Sequence, residues 1–130
     1  MNSAAPIGDP AHGRLTILVV EDEILARMML TDELRRHGFN VAEAKNTDEA
    51  LSIVHAGIAV HVAVINLDTS GTQDGARLAA TLRAEYPTMK ALVASGQAAQ
   101  TELSANVDAY FQKPYDIPKL LAVIQSLLDQ

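Results

Sequence analysis

At 130 residues the chain is long enough to bury one hydrophobic core, and 48% hydrophobic with 20% charged residues is an ordinary globular composition. The net charge of −6 argues against a nucleic-acid module, which needs a basic stripe to neutralise phosphates, and the lack of Cys excludes a disulfide framework and a thiolate metal site. No apolar stretch approaches the roughly 18 residues that span a bilayer, so no membrane contact is expected and a cytoplasmic protein is.

Residues 1–14, MNSAAPIGDPAHGR, hold small residues, Gly and Pro, and lack the apolar core of a signal peptide. They read as a flexible leader ahead of a domain over 15–130. A β-branched strand follows at Thr16–Val20 (TILVV), then a helix over Ile24–His37 that stops at Gly38, a suitable left-handed cap. The next strand is Asn40–Ala44. Asn46-Thr47-Asp48-Glu49 offers a capping box to open the second helix. Val62–Asn66 is the third strand. The third helix runs from Asp74 or Gly75 to Glu85, with Leu78, Ala79 and Leu82 on one face, and meets Pro87. Lys90–Ala94 is the fourth strand. The fourth helix, over Gln97–Val107, is weak: its large apolar residues are Leu103 and Val107, so a short or irregular helix is expected. Asp108–Phe111 is the fifth strand. The last helix carries Ile117, Leu120, Leu121, Ile124, Leu127 and Leu128 at helical spacing, with Asp116 as N-cap and Pro118 in the first turn. Near-continuous apolar strands alternating with helices predict an α/β fold, a doubly wound five-stranded parallel sheet covered on both faces.

In such a sheet ligands gather beyond the carboxyl ends of the strands. Glu21, Asp22 and Glu23 follow the first strand, Asn66, Leu67 and Asp68 end the third, Ser95-Gly96 follows the fourth, and Lys113-Pro114 the fifth. Acids plus a backbone carbonyl suit a hard cation such as Mg²⁺. A hydroxyl and a lysine would contact the oxygens of a phosphoryl group. The carboxylate nucleophile that such a site wants at its centre is missing, and Asn66 stands there. His37, His55 and His61 are scattered without metal-ligand spacing.

ILVVEDE, VASG, AYFQKPYD and TQDG occur at positions and spacings that resemble the receiver domain of two-component response regulators, over roughly residues 14 to 130. The resemblance implies a flavodoxin-like receiver fold. It makes Glu21 and Asp22, with the backbone carbonyl of Asp68, the holders of Mg²⁺. Ser95 becomes the switch hydroxyl that contacts the phosphoryl group together with Lys113, Tyr110 the switch aromatic, and Pro114 a candidate cis-proline. It implies contact with a histidine kinase or phosphotransfer protein through the first helix. Contact with an output protein, or homodimer formation, would use the face made by the fourth helix, fifth strand and last helix.

Two features depart from the family. Its phospho-acceptor Asp falls on Asn66, and the interval from Ser95 to Lys113, 18 positions, is short, which puts the fourth helix in doubt. Three readings of Asn66 stand: a natural receiver that does without phosphorylation, an engineered Asp→Asn, or an acceptor elsewhere, with Asp68 nearest. An amide forms no acyl phosphate and removes one negative charge, so cation affinity should fall and repulsion among the acids should ease. The expected function is signalling through protein contacts, not enzymatic. The alternative is a metal-dependent phosphohydrolase with Asp22 as nucleophile.

Overall fold

The computed structural model describes residues 14–96 and 106–130. The leader up to residue 13 and positions 97–105, which hold most of the weak fourth helix, lie outside the described residues. Five strands, β1 (Thr16–Val20), β2 (Asn40–Ala44), β3 (Val62–Asn66), β4 (Lys90–Ser95) and β5 (Ala109–Gln112), form one parallel sheet in the order β2-β1-β3-β4-β5. Among the described residues the helices are α1 (Ile24–Arg36), α2 (Thr47–His55), α3 (Gly75–Glu85) and α4 (Ile117–Leu128). This is the doubly wound α/β fold expected from the alternation of strand and helix.

The side chains of each strand alternate between two cores. Ile17, Val19, Val62, Val64 and Leu92 pack with Leu30 and Leu34 of α1 and Leu120 and Ile124 of α4. Leu18, Val20, Ala63, Ile65 and Val93 pack with Ala50 and Val54 of α2 and Leu78, Ala79 and Leu82 of α3. Every residue of β1 and β3 is buried, which is why these strands read as unbroken apolar runs.

The boundaries differ from the expected ones by a residue at a few ends. β4 continues to Ser95, and β5 begins at Ala109 because Asp108 serves as its anchor. The Asp108 N–H donates to the Ala91 carbonyl at 2.7 Å, while its carboxylate accepts from the Ala91 N–H at 2.8 Å and from Arg83 at 3.0 Å. The capping box of α2 is offset: the Asn46 side chain accepts from the Glu49 N–H, but the Glu49 carboxylate reaches the Lys45 N–H. Asp116 holds the N-cap position of α4 without a side-chain cap bond. Pro118 in that first turn has no N–H to offer, so there is less there to cap.

Candidate functional site

Alternation holds to the last residue of β3 and one position past the ends of β1 and β5. Glu21 has the parity of Ile17 and Val19, Asn66 that of Val62 and Val64, and Lys113 that of Ala109 and Phe111, all on the α1/α4 side. The three side chains therefore converge at the carboxyl edge of the sheet. Glu21 is 5% exposed and Asn66 is 7% exposed. One Glu21 oxygen accepts from the Lys113 ammonium at 3.0 Å. The other accepts from the Asn66 amide nitrogen at 2.9 Å and from the Glu23 N–H at 3.2 Å. The Asn66 oxygen accepts from the Asp68 N–H at 3.2 Å, so both ends of the amide are used and its orientation is set.

The backbone around this trio is tied down from several elements. Arg27 on α1 donates to the Glu21 carbonyl at 2.8 Å and to the Glu43 carboxylate at 3.2 Å. Lys113 donates its N–H to the Ser95 carbonyl at 2.7 Å, which places the buried Ser95 beside it, and the Lys113–Pro114 peptide is cis. Gly75 opens α3 directly over the end of β3. A Cβ there would lie 2.7 Å from the Leu67 Cα and 2.8 Å from the Asn66 carbonyl oxygen, so only glycine allows the approach. This is the physical content of the TQDG step.

The remaining expected residues are arranged differently. Asp22 and Asp68 are exposed. Asp22 accepts from the Ser70 N–H at 3.3 Å, and Asp68 is joined to the trio by its backbone N–H. Tyr110 is half-buried against the α2/α3 core. Glu23, next to the acidic pair, is spent on structure: its carboxylate caps α1 by accepting from the Ala26 N–H at 2.8 Å.

As arranged, these side chains do not fit a hard divalent cation. Mg²⁺ takes about six oxygens, keeping several waters and drawing one or two carboxylates from the protein, and the buried carboxylate here is not free. Glu21 already accepts three hydrogen bonds, one of them from an ammonium, and among the described residues no three acidic or histidine side chains group closely enough to hold a metal ion.

Sequence reasoning missed three contributors. Thr69 is buried, with its hydroxyl donating to the Val20 carbonyl at 3.4 Å. Arg27 braces Glu21, and the signal available was an arginine four residues past the capping Glu23. Tyr115 packs edge-on against Phe111 with ring centroids 6.1 Å apart. Burial, and next the Glu21 charge, push its phenol pKa up. Its place directly after Lys113-Pro114 was the available signal.

A family model, the response regulator receiver domain, matches residues 17–125. The chain belongs to this family. The receiver is 30% identical over 124 residues to the sensor kinase CckA of Brucella abortus, covering 91% of this chain and 13% of that protein. It is 27% identical over 116 residues to a putative response regulator, NtrX-like, of Rickettsia conorii, covering 85% of this chain and 24% of the relative. It therefore spans a quarter or less of the length of these curated relatives. Among solved structures it is similar to a CheY-like receiver domain protein of Methanospirillum hungatei, at a TM-score of 0.81 and 26% identity, covering 89% of this chain and 94% of the other.

Proposed function

We propose that this receiver transmits a signal through protein contacts without carrying a phosphoryl group at residue 66. The observation that supports the reading is Asn66 itself, an amide at the centre of the site with its nitrogen on Glu21 and its oxygen on the Asp68 N–H. Aspartyl phosphorylation requires a carboxylate oxygen to attack phosphorus while the leaving group departs with its electron pair. A neutral amide is a poor nucleophile, and this one is already engaged at both ends. Lys113, which would meet the phosphoryl oxygens in a phosphorylatable receiver, is paired with Glu21.

The contacts would be made beside this site. The outer face of α1 exposes Ile24 (61%), Leu25 (66%), Met28 (49%) and Met29 (63%). A groove of about 420 Å³ adjoins it, lined by Ala26, Met29, Lys113, Pro114, Tyr115 and Ile117. Clustered exposed apolar residues of this kind mark interaction surfaces, and a histidine kinase or a phosphotransfer protein would be the partner class. The phosphohydrolase alternative gains nothing here, because its nucleophile Asp22 is exposed and turned to the Ser70 N–H.

Incubation with acetyl phosphate and MgCl₂ followed by intact-mass measurement tests the reading. The wild-type chain should gain no adduct of about 80 Da, the mass added by one phosphoryl group. A stoichiometric adduct would contradict it, and peptide mapping would then decide whether Asp68 carries the group.

A further inference from the structure

We infer that the Lys113 ammonium and the Asn66 amide together fill the role of a divalent cation at Glu21, so that this site holds its shape without metal and Asn66→Asp would create a metal requirement. The inference deepens the proposed function and rests on Asn66 being the residue at the site's centre.

Glu21 is a carboxylate with little contact with water. A buried carboxylate needs a counter-charge and donors to its lone pairs. Here Lys113 supplies the charge from one side, and the Asn66 amide and the Glu23 N–H supply donors on the other. Three of about four lone-pair positions are thus occupied. A cation reaching Glu21 would have to displace the Asn66 donor or sit against the Lys113 ammonium, and the one oxygen Asn66 could turn toward it is held by the Asp68 N–H. Asp22 makes no compensating approach, since its carboxylate is on the loop with Ser70.

Asn66→Asp reverses the balance. The donor at 2.9 Å from Glu21 becomes an acceptor, and two carboxylate oxygens then face each other while the lysine stays on the far oxygen of Glu21. Such a cluster is relieved either by taking up a proton or by binding a cation. The Asp form should therefore melt lower than the wild type in EDTA and regain stability in MgCl₂.

Thermal melts of the full chain and of Asn66→Asp, in EDTA, in MgCl₂ and in NaCl of matched ionic strength, test this with MgCl₂ alone as probe. The wild-type midpoint should be the same in MgCl₂ and NaCl, and its Asn66 side-chain amide signals should show no saturable shift. For Asn66→Asp, about 10 mM MgCl₂ acting on a millimolar site should raise the midpoint by about 3–6 °C. A rise of that size in the wild type would overturn the inference. So would an Asp form that folds and shows no response. If the Asp form does not fold, the wild-type titration decides alone. A wild-type cation response without an acetyl-phosphate adduct overturns this inference and leaves the proposed function standing, and an adduct without a cation response does the reverse.

Discussion

Glu21, Asp22 and Glu23 are consecutive acids after β1, and the fold gives each a different environment. Glu21 is turned inward and holds Lys113 and Asn66. Asp22 is exposed on one long hydrogen bond from Ser70, and Glu23 closes the first turn of α1. Asp68, two residues past Asn66, repeats the case of Asp22. The contrast between this trio and the loop acids teaches that adjacency in the chain does not make a site. The alternation of the strand selects which side chain turns toward α1 and α4, and burial then makes that one depend on its partners.

The contrast can be broken by substitution. The largest effect should come from Lys113→Met, which leaves the Glu21 charge buried with only neutral donors. Breaking a buried pair costs about 3–5 kcal/mol, and the 28% exposure of the Lys113 side chain lowers the expectation to about 2–3 kcal/mol by urea denaturation. A loss no larger than that of Asp22→Ala would break the contrast. Gly75→Ala should cost about 1–3 kcal/mol by overpacking, with amide shifts centred on Asn66 and Leu67, because the new methyl has nowhere to go over the end of β3. Asn66→Ala removes a donor to Glu21 and an acceptor for the Asp68 N–H, for about 1–2 kcal/mol in the same assay.

Smaller effects sharpen the contrast. The Tyr115 pKa is raised in the folded chain, so its contribution is fully present below the unfolded phenol pKa of about 10 and is lost as pH rises through the folded value. Tyr115→Phe should therefore flatten the loss of stability above about pH 10 and leave neutral-pH stability nearly unchanged, as read from melts across that range. Asp22→Ala and Asp68→Ala should each stay within about 0.5 kcal/mol of the wild type.

The sheet was legible because its strands are apolar runs bounded by turn residues, and the last helix because its stripe repeats at helical spacing. That the residues at and after the ends of β1, β3 and β5 meet was legible, because the carboxyl ends of those strands share one edge of a parallel sheet. Which acid of the triplet turns inward was not read out, although strand parity carries that information. Nor did the sequence tell that Lys113 is held by Glu21 and that the amide has a fixed orientation, since both depend on distances between segments up to 92 residues apart. Arg27 and Thr69 escaped notice because an arginine on a helix and a threonine in a loop have no distinctive pattern until their partners are placed.

The central claim is that Glu21 is the hub of one coupled unit, and a double-mutant cycle of Glu21→Gln and Lys113→Met tests it most directly. With the carboxylate neutralised, the buried charge that Lys113 serves is gone. The cost of Lys113→Met in the Glu21→Gln background should fall by about 1–3 kcal/mol relative to its cost in the wild type. Equal costs in the two backgrounds would show that the pair is uncoupled and would contradict the account.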